Sequence, residues 1–225
     1  MSVAYFVSGP LQLRERVPVR PLLREEFSLR ANQLCAAVLL ALCAPLMLVI
    51  AALIWRRDGF PALFAHYRVG RNGELFQCFK FRSMCRDSER VLSELLRDNP
   101  RAREEWARDQ KLADDPRITP VGRFLRRTSL DELPQLFNVL RGEMSLVGPR
   151  PITPNELNRY GPERWHYLAV RPGITGLWQV SGRNDLSYDE RVALDRRYVE
   201  SRGFWLDLEI LLRTVAVVLR RDGAR

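Results

Sequence analysis

The longest hydrophobic pattern in the chain is an unbroken apolar run from Leu34 to Trp55. Its 22 residues are enough to cross about 30 Å of hydrocarbon as a helix. Pro45 stands at the middle and predicts a break, because proline lacks a backbone donor and clashes with the preceding turn. Arginines precede and follow the run, which favours the cytoplasmic side for both ends. We therefore predict a re-entrant helix-break-helix hairpin over residues 28–57, with a straight span as the alternative.

A β-hairpin is predicted after the run, in the segment HYRVGRNGELFQCFKFRSM. Asn72 and Gly73 at its centre supply the positive φ angles that a tight turn requires. On the second strand, side chains alternate between two faces, so Lys80 and Arg82 point the same way. Two such cations suit neighbouring phosphate oxygens, although a solvated strand face has the same pattern.

Two further stretches have helical patterns. Residues 87–112 are charged and helix-forming, and Asn99-Pro100 divides them into two predicted helices with polar outer surfaces. The distal FWLDLEILLRTVAVVLRR is amphipathic, which is typical of a last core helix or of a helix in the membrane plane, and we favour contact with the interface. Its predicted apolar face consists of Leu208, Leu211, Leu212, Val215 and Leu219. The cations available to lipid headgroups are Arg213, Arg220 and Arg221.

The segment SLDELPQLFNVL contains an S-x-x-E spacing at Ser129, which is the pattern of a helix capping box. Pro134 contradicts a helix that begins at Ser129, because its missing N–H would then fall beyond the first turn. We predict instead a helix that begins near Pro134. Its predicted buried stripe is Leu136, Phe137 and Leu140.

Composition limits the fold and the classes of function. A chain of 225 residues with 46% hydrophobic content can form one compact domain, residues 58–225, beside the membrane segment and a proline-containing N-terminal segment, residues 1–27. We expect an α/β fold that is rich in helix and has one small hairpin. The net charge of +9 suits an anionic membrane, a phosphorylated substrate or nucleic acid. Four cysteines without a C-x-x-C pair, and two histidines, argue against zinc.

The densest chemistry lies around two adjacent carboxylates, Asp131 and Glu132. They come just before a predicted helix N-terminus, where negative charge is favoured. Three arginines precede them in the sequence. Such a cluster suits a divalent cation and a diphosphate, and spacing alone leaves a structural role open. The nearby cations are Arg123, Arg126 and Arg127.

Four ordered motifs resemble the bacterial sugar transferase family, the monotopic polyprenol-phosphate phosphoglycosyl transferases. The resemblance covers about residues 28–223 and includes the short galactose-1-phosphate transferases that start exopolysaccharide repeat units. Larger members carry membrane helices and a soluble domain before this unit. The motifs are KFRSM (80–84), SLDELPQLFNVLRGEMSLVGPRP (129–151), RPGITGLWQVSGRND (171–185) and YVESRGFWLDLEILLRT (198–214).

The resemblance implies a reaction in two steps at the cytoplasmic face of the bacterial inner membrane. Asp131 would attack the β-phosphate of a UDP-sugar, expel UMP and carry a covalent sugar phosphate. Undecaprenyl phosphate would then attack this intermediate. Glu132 would ligate Mg²⁺. Galactose is the first choice of sugar and glucose the second, and the product would enter exopolysaccharide biosynthesis.

Around the carboxylates we assign the substrate phosphates to four cations: Lys80, Arg82, Arg126 and Arg150. The glycine-rich motif RPGITGLWQVSGRND (171–185) is interpreted as part of the nucleotide-sugar pocket, through Gly173, Gly182 and Arg183. The alternative for this motif is an irregular packed loop with Trp178 in the core.

Two other classes of function were weighed against an enzyme. A membrane-tethered nucleic-acid binder is disfavoured, because the sequence has no helix-turn-helix, zinc-finger or RNP-like pattern. A catalytically inactive scaffold or regulator of polysaccharide assembly would be expected to lose the acidic pair or its basic neighbours. The sequence leaves the oligomeric state open, with a homodimer as one candidate.

Overall fold

The computed structural model describes residues 22–109 and 112–220. Residues 1–21 and Arg221, and the side chains of Leu219 and Arg220, lie outside the described residues. The helices and strands, in chain order, are α1 Leu22–Asp58, β1 Leu63–Val69, β2 Leu75–Phe81, α2 Ser88–Asp98, α3 Pro100–Asp109, α4 Pro120–Thr128, α5 Gln135–Leu140, β3 Ser145–Val147, α6 Pro154–Arg159, α7 Arg164–Leu168, β4 Gly173–Thr175, α8 Tyr188–Ser201 and α9 Phe204–Arg220.

The apolar run forms a single helix, α1, which begins before the predicted start at residue 28 and continues through Pro45 to Asp58. The helix is therefore not interrupted at Pro45, and the re-entrant hairpin stays a prediction. Proline removes one backbone hydrogen bond, and the packing of α1 on both sides of this position supports the helix across it. By length and composition, α1 could cross a membrane.

Helix α1 packs on the rest of the protein both before and after Pro45. Before it, Ala36 is fully buried against Val139 of α5. After it, Ile50 and Ile54 pack against Phe81 at the end of β2. Both halves of the helix therefore contribute to the same folded unit.

The predicted hairpin is confirmed. Strands β1 and β2 pair antiparallel with His66 opposite Cys78. Asn72 and Gly73 have positive φ angles of 57° and 82° in the turn between them. The two predicted charged helices are also present as α2 and α3, on either side of Asn99.

A second small sheet pairs β3 and β4 in parallel, with Ser145 opposite Gly173. A Cβ atom on Gly173 would lie 2.1 Å from the backbone nitrogen of Gly148. The two chain segments can approach this closely only because glycine has no side chain. Trp178 follows β4 and is 7% exposed, so this part of the motif is packed core.

The helix α5 begins at Gln135, as predicted from Pro134, but its buried stripe differs from the prediction. Leu136 and Val139 are buried, whereas Phe137 and Leu140 are both 41% exposed. The helix has under two turns, and the face that meets β2 and α1 is the one that carries Leu136 and Val139.

Helix α9 has one buried face and one exposed face, and its contact with a membrane interface stays a prediction. Ile210 is 1% exposed and packs near Tyr198, so one face is core. Phe204 and Trp205, at its start, are 70% and 78% exposed, and Leu212 is exposed as well. The other face is therefore an exposed apolar surface.

Candidate active site

The two carboxylates lie in a tight turn between α4 and α5. Ser129 ends α4 with a left-handed φ of 56°, and residues 130–132 form one 3₁₀ turn. The Ser129 side chain makes no capping hydrogen bond at the start of this turn, so the capping box is not formed. The turn places Asp131 in a buried position, with 8% of its surface exposed.

Glu132 is held by two cations from other parts of the chain. Lys80 of β2 donates from Nζ to Oε1 at 2.7 Å, and Arg150 approaches the same oxygen with Nη1 at 3.5 Å. Among the described residues, none makes a hydrogen bond or ion pair with the Asp131 carboxylate. The turn therefore presents one fixed carboxylate and one unpaired carboxylate.

The surroundings shift the pKa values of the two carboxyls in opposite directions. Burial opposes charge on both. For Glu132 the cations Lys80 and Arg150 outweigh burial and lower the pKa to about 2. For Asp131, burial and the neighbouring Glu132 charge raise the pKa, against the opposing effect of Lys80, Arg126 and Arg150. Glu132 is ionised first, and Asp131 becomes an anion at higher pH.

Arg126 reaches the site because α4 lies against the chain after β2. A Cβ atom on Gly122 would lie 1.9 Å from the carbonyl oxygen of Ser83, so only glycine permits this contact. One turn later, Arg126 donates from Nε to Ser83 Oγ at 2.9 Å. Arg123 and Arg127, also on α4, are exposed.

The two remaining predicted arginines are placed differently. Arg183 donates from Nη2 to Ser129 Oγ at 3.4 Å, which brings the glycine-rich motif onto the carboxylate turn. Arg82 donates from Nη2 to the carbonyl oxygens of Asp58 and Gly59 at 2.9 and 2.6 Å. In this structure Arg82 therefore ties the end of α1 to the hairpin.

A broad cleft includes both carboxylates and most of the predicted cations. The two predicted glycines are not among the described residues that line it. Gly173 packs on Gly148 instead, and Gly182, with a φ of 138°, forms the turn before Arg183. The predicted residues that line the cleft are Lys80, Arg82, Arg126, Asp131, Glu132, Arg150 and Arg183.

Sequence reasoning missed Asn138, which fixes β2 relative to the carboxylate turn. This side chain is fully buried in α5. Its Nδ2 donates to the carbonyl oxygen of Gln77 at 2.7 Å, and its Oδ1 accepts from Phe79 N–H at 3.0 Å. These two bonds give hydrogen-bond partners to backbone groups at the edge of β2, and they hold Lys80 opposite Glu132. An amide in an otherwise apolar helical stripe was the available signal.

Two residues that line a small cavity beside Glu132, Arg68 and Gln135, were also missed. The side chain of Gln135 is 1% exposed and shares a small cavity with Lys80, Glu132 and Arg150. Gln135 follows Pro134 at the start of α5, next in sequence to the turn, and this adjacency was the only sequence signal. Arg68 of β1 lines the same cavity. Its position there could not be predicted without knowing the register in which β1 pairs with β2.

The carboxylate turn is compatible with Mg²⁺ as the resemblance implies. Mg²⁺ in phosphate-handling sites takes one or two carboxylates and completes its shell with substrate phosphates and water. Asp131 and Glu132 supply that number of carboxylates. The described residues contain no group of three or more histidine, cysteine or acidic side chains that could hold a metal unaided.

A carboxylate pair surrounded by cations, beside a long apolar helix, defines a site suited to anionic groups at a membrane. The model of the family described as bacterial sugar transferase matches residues 25–221, and the chain belongs to this family.

Three relatives illustrate the family. The chain is 58% identical over 84% of its length to an undecaprenyl-phosphate galactose phosphotransferase of Salmonella typhimurium, covering 40% of that protein. It is 50% identical to the exopolysaccharide production protein ExoY of Rhizobium meliloti, covering 85% of this chain and 84% of that one. It is 44% identical to an undecaprenyl-phosphate glucose phosphotransferase of Komagataeibacter xylinus, over 83% of this chain and 35% of that one. The chain thus spans about two fifths of the first of these relatives.

Proposed function

We propose that this protein transfers a sugar-1-phosphate from a UDP-sugar to undecaprenyl phosphate and releases UMP. The observation that carries the proposal is the buried, unpaired Asp131 beside a Glu132 that Lys80 holds at 2.7 Å. A carboxylate without a partner inside a ring of cations is suited to attack an anionic phosphorus centre. The family and the names of the relatives support the reaction class.

In the first step, an Asp131 carboxylate oxygen forms a bond to the β-phosphorus of the donor. The bond from that phosphorus to the bridging oxygen breaks, and UMP leaves with the electron pair. Lys80, Arg126 and Arg150 offset the negative charge on the transferring phosphate. Mg²⁺, held by Glu132, would further reduce repulsion between nucleophile and diphosphate.

In the second step, an oxygen of undecaprenyl phosphate attacks the same phosphorus atom. The bond to the Asp131 oxygen breaks, the carboxylate is regenerated, and the lipid carries the sugar through a diphosphate. No proton has to be transferred at phosphorus in either step. The Asp131 carboxyl must be ionised before each cycle, so the cations that oppose its raised pKa have a catalytic purpose.

The preferred donor is UDP-galactose, with UDP-glucose second. The relative from Salmonella typhimurium, at 58% identity, bears galactose in its name, and the relative from Komagataeibacter xylinus, at 44%, bears glucose. The match to ExoY, which covers 84% of that protein, supports a product that enters exopolysaccharide synthesis. A panel of UDP-sugars, assayed for UMP with Mg²⁺ and undecaprenyl phosphate, ranks the donors. Absence of UMP with every sugar would favour an inactive scaffold.

The covalent intermediate is tested by intact-protein mass spectrometry. The donor is supplied without the lipid acceptor, and the protein should gain the mass of one sugar phosphate. Addition of undecaprenyl phosphate should remove that mass and yield glycolipid. Turnover without any trapped adduct would contradict the mechanism while leaving the reaction class intact.

We further propose that α1 enters and leaves the membrane on the cytoplasmic side of the inner membrane. Packing of Ala36 and Ile54 on the same folded unit supports this, because a helix spanning the bilayer would carry one of these contacts into lipid. Exposed Phe60 and Trp205 would lie at the interface. Labelling of cysteines placed in residues 1–30 tests it: access only from the cytoplasm is expected, and access from the periplasm indicates a span.

A further inference from the structure

A small cavity adjoins Glu132, and its wall has an excess of positive charge. Three cations line it, Arg68, Lys80 and Arg150, against the single carboxylate of Glu132 among the described lining residues. The space accommodates about one oxygen-sized atom. A small, positively charged cavity favours an anionic oxygen over a neutral or cationic group.

Gln135 provides a second, independent observation. Its side chain lines this cavity and is 1% exposed. Within the part of the chain that the structure describes, no residue donates to or accepts from its amide. Nearly all buried polar side chains in proteins have a hydrogen-bond partner. A buried amide beside three cations is placed to donate its Nε2–H to an oxygen in the cavity.

Arg68 is fixed from behind by a separate set of contacts. Its Nη1 donates to Glu156 Oε2 at 3.2 Å. The same Glu156 oxygen accepts from Thr153 N–H at 2.8 Å, in the capping box at the start of α6. A guanidinium has five N–H donors, so this contact orients Arg68 and leaves donors for the cavity.

We propose that Gln135 and Arg68, together with Lys80 and Arg150, form an oxyanion pocket for one oxygen of a phosphate group. The phosphate belongs either to the donor diphosphate or to the lipid acceptor, and this assignment rests on the proposed function. Charge-assisted hydrogen bonds from an amide and cations match an oxygen that carries negative charge. Glu132 of the carboxylate turn and its partner Lys80 of β2 both line the pocket, so it positions a phosphate beside the turn that carries Asp131.

The first test measures binding without turnover. Full-length protein in phosphatidylcholine nanodiscs is titrated with inorganic phosphate by calorimetry. Gln135→Leu should weaken binding about ten-fold, the size expected for a lost hydrogen bond to a charged group. The matched control is Gln77→Leu, an exposed glutamine of β2 whose amide contacts Tyr67; it should bind as the wild type does. Wild-type protein that does not bind phosphate, or a Gln135→Leu variant that binds normally, overturns the proposal and leaves the cavity to water.

A second variant separates binding from folding. Gln135→Glu keeps the shape and adds a carboxylate that can pair with the three cations, so the melting temperature should be maintained or rise. Phosphate binding should nevertheless fall further than in Gln135→Leu, because the new charge competes with phosphate. A parallel loss of melting temperature and binding in both variants indicates a structural role and overturns the pocket.

The source of the phosphate is decided by two kinetic arms. Single-turnover UMP release without lipid reports on the donor, and glycolipid formation in vesicles that contain undecaprenyl phosphate reports on the acceptor. Gln135→Leu should raise the half-saturating concentration of one of these two substrates about ten-fold, which identifies the source; an unchanged value for both overturns the assignment. Phosphate binding that depends on Gln135, in a protein that releases UMP from no UDP-sugar, would support the pocket and refute the proposed function.

Discussion

Two groups of carboxyl side chains, one formed by Asp131 and Glu132 and the other by Asp195 alone, have the same chemistry but different surroundings. Asp131 and Glu132 lie in a turn that Lys80 and Arg150 approach from other elements. Asp195 lies inside α8, is 2% exposed and, among the described residues, makes no hydrogen bond or ion pair with a cation. The described lining of the broad cleft includes Asp131 and Glu132 but not Asp195.

The protonation of the two groups differs accordingly. Tyr160 donates its hydroxyl to Asp195 Oδ2 at 2.8 Å, while Oδ1 is buried without a partner among the described residues. Burial raises the pKa of Asp195 to about 7, and the Tyr160 hydrogen bond offsets only part of this effect. Burial acts on Glu132 as well, yet Lys80 and Arg150 bring its pKa to about 2. Burial without a cation raises the pKa of Asp195 towards neutral pH, whereas the cations keep Glu132 ionised well below it.

The sharpest way to break this comparison is to neutralise one carboxylate in each group. Asp131→Asn should lower UMP release by at least about 10³-fold, because it removes the nucleophile. Asp195→Asn should retain most of the activity at pH 7, since Asp195 is not among the described residues that line the cleft. UMP assays and intact mass measure both variants. Full activity in Asp131→Asn would contradict the assignment.

Removing a cation should make the first group behave more like the second. Lys80→Met should lower turnover at pH 8 by about 10²-fold. Lys80 lowers the pKa of both carboxyls, so without it Asp131 becomes ionised only at higher pH. The acid limb of the pH–rate profile should therefore move to higher pH. A profile that is lower but has an unmoved acid limb would show that Lys80 acts only on substrate.

Glu132→Gln sharpens the comparison within the turn. We expect the Mg²⁺ concentration for half-maximal turnover to rise at least about ten-fold, since a charged ligand is lost. The same change removes a neighbouring negative charge that raises the pKa of Asp131. Glu209→Gln, an exposed carboxylate of α9 that pairs with Arg213, is the control. An unchanged Mg²⁺ requirement would remove Glu132 from the metal site.

The smallest expected effect concerns stability in the second group. The pKa of Asp195 is about 7 when folded against an ordinary value of 3.8. The folded state therefore binds a proton more tightly, so stability falls as pH rises from about 4 to about 7. Asp195→Asn should remove this fall and, at pH 8, stabilise the protein by roughly 2 kcal/mol. Urea unfolding between pH 4 and pH 8 measures it, and equal pH dependence in both proteins would contradict it.

Local patterns predicted the elements that depend on neighbouring residues. Asn72-Gly73 set the hairpin turn, because positive φ angles are a property of those residues. Pro134 set the start of α5, since proline cannot donate within a helix. The buried stripe of α5 was predicted only in part, because α1 and β2 select which face of so short a helix is covered.

In the candidate site, too, the residues could be predicted from the sequence, whereas some of their contacts could not. Sequence motifs pointed to Asp131, Glu132 and most of the cations, because these residue types are uncommon in so dense a cluster unless they meet charged partners. The contacts of Arg82 and of Gly173 could not be predicted, since their partners, Asp58 and Gly148, lie elsewhere in the chain.

By itself, the sequence determined where apolar and charged segments lie, where turns and helices begin, and which carboxylates stand together. Those properties arise from covalent neighbours and from the intrinsic conformational preferences of each residue. The tertiary structure alone decided that Lys80 meets Glu132, that Asp131 stays unpaired, and that Gln135 closes a cavity with Arg68. These depend on contacts between distant segments, and the pKa of a buried carboxyl follows from the charges that those contacts bring beside it.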